Sequence, residues 1–598
     1  MCAIFGIIGE YDSLKARESI GLLSHRGPDY CGLIEKPNLF IAHNRLSIVD
    51  LDERASQPMI KDEIIVSFNG EIYNFKTLKK ELDSIFDTSS DTEVLLRAYQ
   101  KWGLSFVDKL EGMFAIALYD KGRLYLFRDR LGKKPLYYMQ TEKSFIFASE
   151  IKALRPFLKK IKLNKDALHS YLSFLAPTPP HTFYQGIQKL ESGQGASFIE
   201  GNLEIFSYYE LLPRKISIHT KDEALKTLEK RLEESIEKRL MGDVEIACLL
   251  SGGLDSSLIA AMASKMGVKL KTFSLGYEGY AKYDERKYAR EVTQYLDLEN
   301  IEVEMSKEMF FKNLDKVMGS LDEPINDPAS VPLYTLFERV KEEGIKVVLS
   351  GEGADELFLG YRHYFEYMDI QKAGDLKHKN WLKNHLNANF SQHREWEWYK
   401  RVFNDEVLFR SSGEKFTDTQ KNILMKENIE DGFSMKYFQK YRDRFKHFGC
   451  KDESQWYSYL DLKHFQAEHF LTKLDRVSMA HGIEGRTPFL DHTLVETVFS
   501  LTPKLRYEEG LTKDLLKRIA KPYLPESIIH RKKKGFASPY LEWLLEENAL
   551  ERMLLVNKRS KIFHEDVLKM YIEKAKKGQF KQHVYGLYIF SLWWEKNN

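Results

Sequence analysis

The chain has 598 residues, of which 43% are hydrophobic, 30% charged and 13% aromatic. This is the composition of a soluble globular protein, and the length exceeds what one ordinary core supports, so two or three domains are expected. Lys plus Arg number 90 and Asp plus Glu 88, a formal charge of +2, which gives no electrostatic ground for nucleic acid or an anionic membrane as a main partner.

Cys2, Cys31, Cys248 and Cys450 are too few for a disulfide framework in a chain of this size, and they lack close-paired metal-ligand spacing. The opening MCAIFGIIGE carries no basic leader. No segment approaches the roughly 20 apolar residues of a spanning helix. A reducing, cytoplasmic setting is the expectation.

In chain order, short apolar or alternating runs at 3–9, 39–42, 64–69, 113–119, 124–128, 136–139 and 145–148 read as strands. Helical patterns at 75–84 and 92–102 lie among them, and strands at 195–199 and 203–208 close the series. This predicts an α+β domain of antiparallel sheets. After LLPRK at 211–215 a long charged helical pattern covers 221–241. Strands at 245–250, 271–275, 300–304 and 346–349 then alternate with helices at 256–266, 286–296, 307–320 and 330–343. That alternation predicts a parallel sheet with helices on both faces. Beyond about residue 360 strands are expected to stop and helices to dominate. The boundary belongs near 212–220, giving domains 2–212 and 213–598.

Cys2 follows Met1, which is normally removed before a small residue. Removal would leave a free α-amine on the residue that carries the thiol. With a reference pKa of about 7.7–8.0, that amine can take the thiol proton at neutral pH. Alone, Cys2 reads equally as a small buried residue opening a strand. Around it stand SHRGPD at 24–29, NRLSIVD at 44–50, FNGEIYN at 68–74 and SDTEV at 90–94. A thiol attacking the side-chain amide of glutamine needs donors for an oxyanion, which Asn69 and the Gly70 N–H can supply. Arg45 can hold the α-carboxylate bidentately and Asp91 the ammonium. Asp91 can also be a helix cap, and Asn69–Gly70 a plain turn.

These strings, in this order behind Cys2, resemble the class II glutamine amidotransferase domain with its N-terminal nucleophile. The resemblance implies an α+β sandwich of antiparallel sheets between helices. It implies Cys2 as nucleophile, Asn69 and Gly70 as oxyanion hole, and Arg45, Asn69, Glu71 and Asp91 as the glutamine-binding set, with Arg26 in a loop shaping the pocket.

Residues 250–257 read LSGGLDSS, after a strand and opening a helix. Glycines and a helix N-terminus suit an anion, yet this loop has no lysine and carries Ser251, Ser256, Ser257 and Asp255 instead. A carboxylate beside phosphates makes sense if it holds Mg²⁺; ordinary capping is the alternative. A second loop, SGEGADELF at 350–358, follows another strand. Ligands of open α/β sheets bind at such carboxyl ends. SGGxDS resembles the pyrophosphate loop of the ATP pyrophosphatases, which split ATP between its α and β phosphates. That resemblance implies Asp255 and Asp355 as Mg²⁺ ligands and Glu352 in adenylation. It also implies an ATP-binding set of Leu250, Ser251, Gly252, Gly253, Asp255, Ser256, Leu275, Ser350 and Gly351.

The two halves together resemble the glutamine-dependent asparagine synthetases over essentially the whole chain, with LDEPINDPAS at 321–330, LDRVSMAHGIEGRTPFLD at 474–491 and LTKDLLKRI at 511–519. The family implies glutamine, aspartate and ATP as substrates, Lys513 stabilising the pentavalent phosphorus, and a dimer as a common assembly. It further implies that Cys2 releases ammonia through a channel of neutral side chains to an aspartyl adenylate, giving asparagine, AMP and pyrophosphate. Family members of this length also amidate sugar acids or peptide carboxylates. In this chain Gly485 stands where the usual string has an apolar or basic residue, which leaves both acceptors open. The basic run 531–534 reads as a solvated face or a phosphate contact.

Overall fold

The computed structural model describes residues 2–597 except 390–393, 431, 451, 534 and 536. Its first part has twelve strands in two antiparallel sheets. They are β1 (Ala3–Gly9), β2 (Tyr30–Lys36), β3 (Leu39–Arg45), β4 (Met59–Lys61), β5 (Ile64–Ile72) and β6 (Gly112–Asp120). Then come β7 (Arg123–Arg128), β8 (Tyr137–Gln140), β9 (Ser144–Ala148), β10 (Gln188–Lys189), β11 (Gln194–Ile199) and β12 (Asn202–Ser207). One sheet runs β10-β8-β9-β1-β3-β2 and the other β12-β11-β7-β6-β5-β4.

Strand alternation sorts their side chains into layers. Ile4, Ala115, Leu126 and Phe147 meet between the sheets. Phe5 and Ile7 instead pack on Ile20 of the helix Ser13–Gly21. On the far side, Val66 and Phe68 pack against α1 (Phe75–Leu82) and α2 (Asp91–Trp102). The result is the expected sandwich of antiparallel sheets between helices. Sequence reading passed over β2, β4 and β10, and also the helices Ser13–Gly21 and Lys165–Phe174.

Residues 208–220 are irregular apart from Thr220, which caps α3 (Lys221–Arg239) in a reciprocal capping box with Glu223. The second part is built on β13 (Ile246–Leu249), β14 (Lys271–Tyr277), β15 (Asn300–Met305) and β16 (Val347–Leu349). All are parallel, in the order β15-β14-β13-β16. Helices α4 (Leu254–Lys265), α5 (Arg286–Leu296), α6 (Lys307–Leu321) and α7 (Ser330–Glu342) alternate with them. Ala247 and Val348 face the cluster that holds Phe310 and Phe337, while Cys248 and Leu349 face the one that holds Leu228 and Leu258. Helices therefore cover both faces, as expected.

One expectation fails. Strands do not stop near 360: β17 (Glu484–Arg486) adds a fifth parallel strand beside β16. A three-residue EGR strand carries no apolar signal. Its charged side chains are wholly buried because they satisfy each other, with Arg486 Nε donating to Glu484 at 2.6 Å and Nη1 to the Arg239 carbonyl at 2.8 Å. Gly485 pairs with Val348, and a Cβ there would lie 3.1 Å from the Leu474 side chain, which fills that space. Leu474 belongs to α8 (Leu471–Met479), which follows a ten-residue π-helix, Asp461–Phe470. A short helix α9 (Asp514–Ala520) precedes the helices that end the chain. No helix among the described residues is long and apolar enough to cross a membrane.

Candidate active site

Cys2 stands immediately before β1, a central strand of its sheet, and is 8% exposed. Its backbone N–H reaches across to the second sheet and donates to Asn69 Oδ1 at 3.1 Å. Asn69 is fully buried on β5 and its Nδ2 has no hydrogen-bond partner. A buried amide left half-satisfied beside a thiol is a donor awaiting an acceptor. Next to it Gly70 has φ +153°, and a Cβ would fall 1.9 Å from the Met113 carbonyl oxygen, so only glycine fits. Burial pushes the Cys2 thiol above its ordinary pKa, so a base close by is needed to ionise it. Met1 lies outside the described residues.

Ser90 caps α2 by accepting from the Thr92 N–H at 3.0 Å, so Asp91 is the first helical residue rather than the cap. Asp91 Oδ2 accepts from the Ile72 N–H at 3.0 Å, and burial raises its carboxyl to about 6. Arg45 ends β3 with its guanidinium on the loop that follows, donating to the carbonyls of Asp52 (2.8 Å) and Asp50 and to Ser56 Oγ (3.3 Å). Burial, with Glu484 and Asp91 nearby, raises the Glu71 carboxyl well above its usual range. Arg486 lies 3.7 Å from Glu71.

Glu484 and Arg486 come from the second half of the chain, and sequence reading missed them. The EGRTP string was the only signal, and it drew attention to Gly485 alone. The same holds for the contact beneath the thiol. Arg26 Nε donates to the Cys2 carbonyl at 3.1 Å, while Nη1 and Nη2 reach the two oxygens of Asp475 on α8 at 2.8 and 3.0 Å. Nη1 also meets Glu150 at 2.7 Å. Further ion pairs join the halves: Arg128 and Lys189 to Glu468, each at 2.9 Å, and Glu150 to Arg476 at 2.8 Å. The contact between the halves around Cys2 is thus charged and internally compensated.

The second site forms at the carboxyl ends of the neighbouring strands β13 and β16. Leu250 leaves β13 and donates to the Phe273 carbonyl at 2.8 Å; Leu275 is buried in β14. Gly252 has φ +65° and packs so close to Tyr288 that a Cβ would stand 2.5 Å from it. Gly253 opens α4, and Ser251 Oγ accepts from its N–H at 3.2 Å and lies 3.2 Å from Ser256 Oγ. The Ser350 N–H extends the pairing with β17 by donating to the Arg486 carbonyl at 2.8 Å. A Cβ at Gly351 would be 3.1 Å from the Asp255 Cβ, which shows how closely the two loops approach.

Lys513 closes this site. Its Nζ lies 2.7 and 2.6 Å from the two oxygens of Asp255 and 2.7 Å from Asp355. Lys533 adds a contact of 2.5 Å to Asp355. Burial would raise the Asp355 carboxyl, but Lys513 and Lys533 hold it down at about 2. Burial wins at Asp255, whose carboxyl is raised despite Lys513. Gly360 makes room: a Cβ there would be 2.0 Å from Asp355 Oδ1 and 2.4 Å from Lys513 Cε. Glu352 is raised by burial and lies 3.9 Å from Lys473, which is bonded to Asp327 at 2.7 Å. Arg531 donates to the Ser251 carbonyl at 3.2 Å, so Arg531 and Lys533 of the basic run belong to the site; Lys534 is outside the described residues. The structure therefore gathers Asp255, Asp355, Lys513 and the serine loop in one place, and Cys2, Asn69, Gly70, Glu71 and Asp91 in another.

Known families match both parts of the chain. Residues 1–209 match the glutamine amidotransferase domain family and residues 227–595 the asparagine synthase family. The chain is 31% identical to asparagine synthetase [glutamine-hydrolyzing] 1 of Bacillus subtilis, over 99% of this chain and 96% of that one. It is 30% identical to asparagine synthetase [glutamine-hydrolyzing] 3 of the same organism (87% of this chain, 82% of that one). It is also 29% identical to the amidase chyE of Penicillium rubens (88% and 85%).

Proposed function

The chain belongs to the family of glutamine-hydrolysing asparagine synthetases, and on that premise we propose that it converts aspartate, glutamine and ATP to asparagine, glutamate, AMP and pyrophosphate. The observation that carries the reading is Lys513 held between Asp255 and Asp355 at adjacent strand ends, in a chain whose other half presents Cys2 to a half-satisfied Asn69.

In the first half, the Cys2 thiolate attacks the side-chain carbon of glutamine. Its proton goes to the α-amine that loss of Met1 exposes, an amine oriented by Asn69 Oδ1. The oxyanion is met by Asn69 Nδ2 and the Gly70 N–H. The protonated amine returns that proton to the departing nitrogen, so that ammonia leaves, and water frees glutamate from the thioester. Asp91 receives the substrate ammonium and Arg45 its carboxylate, with Glu71 completing the pocket.

In the second half, the acceptor carboxylate attacks the ATP α-phosphorus and pyrophosphate departs. Lys513 neutralises charge building on the phosphoryl oxygens, and Glu352 serves the same step. Ammonia, passed within the protein, then displaces AMP. The oxygen donors of Asp255, Asp355, Ser251 and Ser256 suit Mg²⁺, which would supply charge neutralisation at the phosphates. Among the described residues no cluster of three or more His, Cys, Asp or Glu forms an all-protein metal site.

Similarity to an amidase keeps a second reading in view, the same chemistry on another carboxylate. Incubation with glutamine, ATP and Mg²⁺, with and without aspartate, tests both. Aspartate-dependent AMP and asparagine support the first reading. AMP only with a sugar acid or peptide carboxylate supports the second, and ADP as product overturns adenylation altogether.

A further inference from the structure

Helix α8 touches both sites. Residues two apart on a helix project about 200° apart, so Lys473 and Asp475 leave α8 on opposite sides. Lys473 bonds Asp327 at 2.7 Å and lies 3.9 Å from Glu352, on the side of the second loop. Asp475 goes the other way, into the first half, where both of its oxygens take the fork of Arg26. Arg26 in turn donates its remaining Nε–H to the carbonyl of Cys2 itself. The side chains of Arg26 and Asp475 are 0% and 2% exposed, so water does not compete for these bonds, and a bidentate guanidinium–carboxylate pair fixes orientation as well as distance.

We propose that Asp475 is a positioning residue for Cys2: through Arg26 it sets the backbone of the nucleophile from the synthetase half. With its carbonyl held by Arg26 and its N–H by Asn69 Oδ1, Cys2 has its Cα–C torsion fixed, and with it the direction of the thiol. Leu474, between the two, packs on Gly485 of β17, so the helix bears directly on the sheet whose other strands carry the ATP loops. This inference rests on Cys2 being the glutaminase nucleophile. Glutamine hydrolysis by the unaltered protein, abolished in Cys2→Ala, establishes that separately.

The test uses the full chain with Asp475→Asn, which keeps shape and removes charge, Arg26→Lys, which keeps charge and removes the fork, and the double variant. Glutamine hydrolysis and ammonia-dependent AMP formation are measured for each. The expected result for Asp475→Asn is a tenfold or greater fall in glutaminase kcat with KM for glutamine changed less than threefold. Ammonia-dependent synthesis should stay within twofold. The double variant should be no slower than the slower single variant, because both changes break one linkage. Unchanged glutamine hydrolysis overturns the proposal, as does a double variant whose losses multiply. A parallel fall in both activities with a lowered Tm also overturns it, since Asp475 would then serve folding alone.

Discussion

Asn69 turns its amide oxygen to the Cys2 backbone N–H at 3.1 Å and keeps its own Nδ2 without a partner. The side chain is oriented by the residue it would assist, with no second acceptor to satisfy its donor. Asn69→Ala is expected to lower glutaminase kcat by about 10²–10³, the usual loss for one oxyanion donor. Ammonia-dependent synthesis should be untouched. Steady-state assays with each nitrogen source check this, and an equal loss with ammonia would assign Asn69 to the scaffold instead.

The pH response should come from Asp91. Burial raises its carboxyl to about 6, so the charge that would receive the glutamine ammonium disappears as pH falls through 6. KM for glutamine should rise below that pH, while KM for ammonia shows no matching Asp91 inflection. Asp91→Asn should raise KM about 30-fold or more, on the scale of a lost buried charge partner, and flatten the profile. For stability the sign is opposite to that of a salt-bridged carboxylate. The folded chain holds this proton more tightly than the unfolded chain, so the contribution is full below about 4 and is lost as pH rises through about 6.

Lys513 is the cation that bridges Asp255 and Asp355. With Lys513→Met the two carboxylates repel, and the Asp355 carboxyl should rise above its present value of about 2. ATP–pyrophosphate exchange should fall by about 10²–10³, with glutamine hydrolysis preserved. Exchange measured with labelled pyrophosphate decides the matter, and a variant that exchanges normally would return Lys513 to the role of a spectator.

Gly360 offers a steric test of the same geometry. One methyl group there would stand 2.0 Å from Asp355 Oδ1 and 2.4 Å from Lys513 Cε. Gly360→Ala should abolish nucleotide exchange while leaving glutaminase kcat/KM within twofold. Normal exchange would mean that the Asp355–Lys513 contact is dispensable.

Local sequence carried those parts of the molecule whose signal is local. Buried runs such as ACLL ahead of SGGLDSS and VVLS ahead of GEGADE are strand, turn and helix in immediate succession, and each gathers its chemistry at one strand end. The 3–9 run was legible for the same reason. Strand β2 was not, because Tyr30–Lys36 is largely exposed on a sheet edge and shows no apolar alternation. β17 was hidden because its burial depends on a pair, Glu484 with Arg486, that forms only after folding. Arg26 read as part of a pocket loop, yet its partner Asp475 is 449 positions away. No periodicity encodes a contact of that span, and it connects the two halves at Cys2.

The mixed signs along that seam have a consequence for anyone who would cut or recombine this protein. Arg26, Arg128 and Lys189 of the first half seek carboxylates on the second, whereas Glu150 and Glu71 seek Arg476 and Arg486. Divided within 208–220, the two fragments would carry complementary imprints that recognise each other and reject a half bearing another arrangement, because a single mismatched sign strands a charge in a dry interface. Grafting a foreign glutaminase onto this synthetase is therefore a matter of transplanting these charges in register, more than of matching folds.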